Sequence, residues 1–443
     1  MSAPSPGLAV LLAAFPILFL HGNYQPGFDV SLGSTSASVT LADIAVLAVV
    51  VAAVATGRRE GFTRLHAGIA VWVIGAAFLA LVGVSTLTPL ASSRDYPFAD
   101  HLVTALKYAE YGALAPALAL LVRSRRDAQA LFVVVAAWSV VATFWGLLQF
   151  GGAVTAFGLE PVLQRVPSFV GFEDFALLSG AAVCVSLVAL LRGASGWVEQ
   201  SVAWVGGVSG GLGIVLSGAI AGVLGLGLAA AGIGLVALRR RELAPRRAVA
   251  IAGVVLVVGF GTALMRAGDI GSFFRFLGVE QSQQADAGEV QSYSQRTLLA
   301  YIGLKIFLDH PLLGVGWQGS LDEAGYGPQL TAARARFPDE PLLAFPSPRH
   351  PWGVHNAYVQ ALSDMGIGGL VLLAAVLLTA LWLAARAALR ASETGLVALA
   401  WTLLVAGLAN ATGLVAGIPL VALLWIAAGF AAASAAEVSR APA

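Results

Sequence analysis

Charge is scarce in this chain. Asp, Glu, Lys and Arg make up only 11% of its 443 residues, and 58% are hydrophobic. A soluble domain is about 25% charged, so an ordinary water-soluble fold is excluded. Cysteine is nearly absent. The single one, Cys184, lies in an apolar run, which excludes an internal disulfide framework and a thiolate metal site. The formal net charge is +1, so there is no overall nucleic-acid footprint. No HExxH, phosphate-binding P-loop or EF-hand loop occurs. Asp322-Glu323 is an isolated acidic pair, so the acidic metal pattern of many nucleotide-sugar transferases is missing too. The opening MSAPSPGLAV lacks the basic n-region of a cleavable signal, and the first apolar run is expected to be a retained span.

What the chain has is long apolar runs. They are roughly 17 to 24 residues each, enough to cross about 30 Å of hydrocarbon as helices. The expected fold is an all-α, polytopic transmembrane bundle of about twelve spans. They fall at 7–21, 40–56, 67–89, 101–122, 128–150, 174–192, 201–216, 218–238, 248–266, 366–388, 395–411 and 417–436. Ser217-Gly218 is the natural break between two of them. A membrane β-barrel is excluded, because its strands are shorter and alternate.

Lys and Arg set the orientation. Arg58, Arg59 and Arg64 follow the second span, and Arg123, Arg125 and Arg126 the fourth. Arg192 follows the sixth and Arg239, Arg240, Arg241, Arg246 and Arg247 the eighth. Arg386 and Arg390 follow the tenth. Every even exit is basic, which predicts cytoplasmic loops there and both termini inside. Such clusters need no role beyond topology.

The opposite side carries one long polar insertion. The chain divides into spans over 1–266, an outer-loop cap over 267–354, and spans again over 355–443. Loops beyond about 15 residues are usually functional or disordered. This one contains SQRTLLAYIGLKIFLDHP, where Leu298, Leu299, Ile302, Ile306 and Phe307 recur at helical spacing. An amphipathic helix is expected over 294–309, with Ser294 as its N-cap and Pro311 as its stop. The later FPDEPLLAFPSPRHPW is too rich in proline for regular structure. No internal repeat of the transporter kind stands out.

The stretch HNAYVQALSDMGIGG, 355–369, opens the next span. Read as a helix, Asn356, Gln360, Ser363 and Asp364 fall within about 80 to 100° of one another. The expected result is one polar edge at the outer membrane boundary, with His355 beside it. Its bland reading is a helix start that snorkels to water. The cap and its approaches add Arg275, Arg296, Arg334, Arg336 and Arg349, with Arg266 and Arg165 nearby. Arginine suits bidentate phosphate recognition, so a lipid-linked phosphate substrate is one reading. Solvated charge balanced by Asp286, Glu289, Asp322, Glu323, Asp339 and Glu340 is the other, and it suits Arg334 and Arg336 best. Within the spans, Lys107 and Glu110 could pair with each other or line a cavity. They are second-tier candidates, with Gln360 and Asp364. Asp43 and Asp174 sit at span ends and read as interfacial.

His355-Asn356, nine residues, then Gly366 and Gly369 resembles the signature of the O-antigen ligase and O-antigen polymerase superfamily. That superfamily also holds bacterial protein O-oligosaccharyltransferases. QRTLLAYIGLKIFLDHPLLGVGW, 295–317, looks like its Arg-led helix and glycine turn. RVPSFVGFEDFALL, 165–178, is similar to its outer-loop segment. The resemblance implies a GT-C membrane glycosyltransferase of the bacterial inner membrane. It implies transfer of a glycan from a polyprenyl diphosphate (undecaprenyl diphosphate) to a saccharide, lipid-sugar or protein hydroxyl, on the outer face, without metal or other cofactor. His355 matches the histidine general base and Arg296 the diphosphate-holding arginine. Asn356 would orient the histidine or a hydroxyl. Many ligases carry Ser-Arg where this chain reads Ser217-Gly218. Another cation would have to substitute, with Arg165 first and Arg275 or Arg349 next. Polymerase, ligase or O-oligosaccharyltransferase, and a non-enzymatic transporter of lipid-linked glycan, all stay open from sequence.

Overall fold

A computed structural model describes residues 4–32, 35–91, 95–155, 165–193, 196–242, 244–267, 292–414 and 418–440. Arg275, Asp286 and Glu289 lie outside the described residues. In chain order the main helices are α1 (Pro6–Leu18), α2 (Leu41–Glu60), α3 (Ile69–Ser85), α4 (Phe98–Gly112), α5 (Leu114–Leu121), α6 (Arg125–Phe150) and α7 (Phe172–Arg192). They continue with α8 (Trp197–Ser217), α9 (Ile220–Arg239), α10 (Pro245–Met265), α11 (Ser292–Asp309), α12 (Ala357–Leu389), α13 (Glu393–Leu408) and α14 (Ile418–Arg440).

Among the described residues, nine helices are long and apolar enough to cross a membrane: α2, α3 with its flanking turns, α6 to α10, α12 and α14. α1 and α13 are apolar but shorter. The expected span 101–122 is broken into α4 and α5. Pro116 has no N–H to give the Gly112 carbonyl, so the helix cannot run through. The break expected at Ser217-Gly218 is present, and Gly218 is left-handed at φ 61°. The structure is all-α as expected, with one small local addition among the described residues. Gly27–Leu32 and Thr35–Thr40 form an antiparallel hairpin between α1 and α2. Phe28, Val30 and Leu32 alternate with Asp29 and Ser31, which is a strand signal that the reading by apolar runs passed over.

Two helices form the centre. The membrane-length part of α7 is 83% buried and that of α14 is 89% buried, while α10 is only 11% buried. α10 is apolar all round and faces outward, as a lipid-contacting helix must. Glycines of α8 bring it close to α7: Gly206 and Gly207 lie against Ser186, and Gly210 against Ser179 and Val183. Small residues let the two helices approach closely here. At one end the basic helix termini meet. Arg123 pairs with Glu60, Arg125 with Glu393 at 2.7 Å, and Arg64 donates to the Arg123 carbonyl at 3.0 Å.

The cap sits at the other end. The amphipathic helix is α11, and Leu298, Leu299, Ile302 and Ile306 pack with Val315, Tyr326 and Phe345 in a small core of their own. α11 begins at Ser292, and Ser294 does not cap it; its hydroxyl donates to Glu340 at 3.0 Å. The proline-rich piece holds only a single turn of helix, Leu342–Ala344. The turn 310–317 is wedged into α12. Val315 N–H donates to the Ser363 carbonyl and Gly316 N–H to that of Asp364, both at 2.9 Å, and Ile367 N–H donates to the Pro311 carbonyl at 2.9 Å. α12 opens at Gly366 (φ 68°, ψ −163°) to accept the turn.

The polar edge of α12 therefore does not open to water; the cap turn covers it. Gln360, Ser363 and Asp364 are buried. Asp364 accepts from the Gln318 N–H at 3.0 Å, the Ser320 N–H at 3.2 Å and Gln360 at 3.1 Å. Gln360 also accepts from the Leu414 N–H at 2.6 Å. Their work is to satisfy the buried amides of the cap turn, which would otherwise lose their solvent partners. α4 fastens the cap from its other side. Tyr96 donates to the Trp317 carbonyl at 2.7 Å, Trp317 donates to Thr104 at 3.1 Å, and His101 meets Asp322 at 2.8 Å.

Gly366→Ala should destabilise the protein. Its backbone region is nearly glycine-only and costs about 1–3 kcal/mol for another residue, and a Cβ there falls on the Leu312 backbone. A lowered thermal unfolding midpoint in detergent is expected; a midpoint equal to wild type would remove the wedge from the account of stability.

Candidate functional site

α12 starts abruptly because Asn356 caps it. The Asn356 carbonyl oxygen accepts from the Tyr358 and Val359 N–H groups, each at 3.1 Å. Its amide nitrogen donates to the Asn410 backbone and side-chain oxygens at 3.1 and 2.9 Å. Both ends of the side chain are thus engaged in fixing the helix start to the end of α13. His355 is the residue before this cap, so its place is set by Asn356 through the backbone.

α11 carries Arg296 on its second turn. Its guanidinium reaches across to α7 and donates to Glu173 Oε1 at 2.6 Å. Glu173 stands in the first turn of α7, where a carboxylate suits the positive end of the helix. The same oxygen accepts from Arg165 at 3.4 Å. Two arginines from distant parts of the chain therefore share one carboxylate. Both ion pairs are at least three-quarters shielded from solvent on each side.

Arg165 is held firmly. Its Nε donates to the Ser217 carbonyl at 2.9 Å, and its guanidinium lies over the Phe172 ring at 4.5 Å. The Arg165 stem runs against Gly218: a Cβ on that glycine would come 2.8 Å from Arg165 Cγ. Arg165 thus brings a cation beside Ser217-Gly218, and the glycine leaves the room for it. Arg266, at the end of α10, is also buried. Burial first, then Arg266 and Arg296, pulls the Arg165 guanidinium below its usual range, while Glu173 opposes them. An arginine remains charged under such pressure.

His355 belongs to the same electrostatic neighbourhood. Burial holds its imidazole below its ordinary value near 6.5; Arg296 adds to that, and Glu173 works against it. The ring is therefore neutral at pH 7 and able to accept a proton. Chemically the arrangement is a neutral base near Arg296, which shares Glu173 with Arg165, at the cap end of the central helices.

The other candidates lie elsewhere. Arg349 is exposed on the turn between Ser347 and His350. Arg334 and Arg336 are at the end of a short helix in the cap. Lys107 does not pair with Glu110; it meets Asp43 of α2 at 2.9 Å. Asp43 is buried and also accepts the Thr40 N–H at 2.7 Å, closing the start of α2. Glu173 was missed from sequence. Its signal was available, since it is a carboxylate two residues after Gly171, which opens the helix, but nothing in one sequence pointed it at Arg296.

Residues 205–374 match the family described as O-antigen ligase. The match supports the resemblance to the O-antigen ligase and polymerase superfamily over that part of the chain. The matched stretch holds Ser217-Gly218, Arg266, Arg296 and His355. Arg165 and Glu173 lie outside it and join the site only through the fold. No curated protein matches the chain.

Arg296→Ala should raise the pKa of His355, because it removes a cation that disfavours the imidazolium. Nitrogen NMR of labelled histidine across pH 5 to 8 reads this directly. An unchanged titration would mean that the two groups do not share a site.

Proposed function

We propose that this protein is a membrane glycosyltransferase that moves a glycan from a polyprenyl diphosphate to an acceptor hydroxyl at the outer face of the bacterial inner membrane. The observation that carries the reading is the meeting of Arg296 and Arg165 on one carboxylate, with Arg266 near Arg165 and a neutral His355 near Arg296. The basic helix ends at the opposite pole support cytoplasmic termini and an outward-facing site.

His355 takes the proton from the acceptor hydroxyl as its oxygen attacks the anomeric carbon. The bond from that carbon to the diphosphate oxygen breaks, and its electrons leave with the diphosphate. Arg296 and Arg165 face the charge that develops there, in a site partly closed to water. A single displacement of this kind inverts the anomeric centre. General-base help of roughly 10²–10⁴-fold is expected from His355. The arginines supply the positive charge that a divalent metal supplies in other transferases, so transfer should proceed unchanged in excess EDTA. Loss of activity that zinc, magnesium or manganese restores would put a metal into the reaction.

The acceptor class separates a polymerase from a ligase or O-oligosaccharyltransferase. The missing Ser-Arg arginine does not argue against a ligase, because Arg165 occupies that space. In cells, His355→Ala and Arg296→Ala should each abolish the surface glycan at normal membrane levels of the protein. Accumulated single lipid-linked repeats would identify a polymerase; long lipid-linked chains would identify a ligase. Wild-type glycan from both variants would overturn the transferase reading in favour of transport.

A further inference from the structure

Glu173 is out of place in a site built for an anion. It is a fixed negative charge at the point where the arginines converge, and its Oε1 occupies a terminal Nη2 N–H of both Arg296 and Arg165, at 2.6 and 3.4 Å. A diphosphate held by these two arginines needs the same N–H groups. Carboxylate and phosphate oxygens present the same acceptor geometry to a guanidinium, so the two ligands compete for one set of donors.

We propose that Glu173 is a resident stand-in for the donor's diphosphate. The inference rests on the diphosphate reading of the site. In the empty protein Glu173 holds Arg165 and Arg296 together, which would otherwise repel each other and Arg266 in a partly desolvated space. The incoming diphosphate takes over their terminal N–H groups and Glu173 lets go. The charges fit this exchange. Three guanidiniums and one carboxylate leave two positive charges, and a glycosyl polyprenyl diphosphate carries two negative ones. After transfer the product diphosphate has lost its sugar and carries additional charge, so it is held more tightly than the donor. The return of Glu173 to the arginines then favours its release. Glu173 is a positioning residue for turnover and does not touch the reacting atoms.

The test is binding of undecaprenyl diphosphate to the purified full-length protein in nanodiscs, for wild type, Glu173→Gln and Arg296→Ala. Glutamine keeps the size and an acceptor oxygen but removes the charge. The expected result is about tenfold tighter binding for Glu173→Gln, weaker binding for Arg296→Ala, and a lowered KM together with a lowered kcat in Glu173→Gln. A carboxylate with a merely structural role would weaken binding when neutralised. Glu173→Gln binding no tighter than wild type, with Arg296→Ala weakened, overturns the stand-in and leaves the diphosphate reading intact. Arg296→Ala binding as wild type does, or no binding by wild type, overturns both. Should Glu173→Gln fail to fold, a structure of the wild-type protein with undecaprenyl diphosphate decides the point. The Arg296–Glu173 contact should open beyond hydrogen-bonding distance; a contact that persists beside bound diphosphate overturns the proposal.

Discussion

Asp364 and the break at Gly366 hold the cap against the membrane bundle, and the site depends on that contact. A buried carboxylate without partners would be expensive. Here it is satisfied by two backbone amides of the cap turn and by Gln360. The carboxylate and the amides therefore need each other. If the turn withdrew, both would be left buried and unpaired. This makes the cap an integral part of the molecule, although its core is separate from that of the spans. Arg296 rides on the cap and His355 on the start of α12, so fixing one element against the other fixes the distance between the two functional groups.

The electrostatics follow from that placement. Three arginines converge at the end of a bundle whose walls are almost entirely apolar. Guanidiniums are always charged and weakly hydrated, so they tolerate such a setting better than lysines would. Glu173, Phe172 and the Ser217 carbonyl share the task of holding Arg165 in it. Burial, with Arg296 adding to it, keeps His355 neutral. On the proposed reading, one cluster both prepares a base and receives the charge of a leaving group. Uses of that kind justify keeping ionisable groups close to a bilayer.

Much of the fold was legible in the sequence because it rests on local chemistry. Length and apolarity define most spans without any knowledge of neighbours. The break at Ser217-Gly218, the cap helix and the irregular proline-rich stretch were readable for the same reason. His355 and Arg296 stood out by motif. The polar edge of α12 was legible as a stripe, but its direction was not. Gln360 and Asp364 look alike on a helical wheel whether they face water, substrate or another segment of the chain. Lys107 illustrates the same limit: its near neighbour Glu110 was visible, while its actual partner Asp43 belongs to another helix.

The sequence by itself determined an apolar bundle with one polar cap, because the free energy of placing apolar helices in hydrocarbon is set residue by residue. Only the tertiary structure decided which arginine lies beside Arg296. Arg165 reaches Ser217-Gly218 from some fifty residues away in the chain, and Glu173 joins it to Arg296 across more than a hundred. Ion pairing depends on distance in space, and helix packing, which no local pattern encodes, is what brings these charges together.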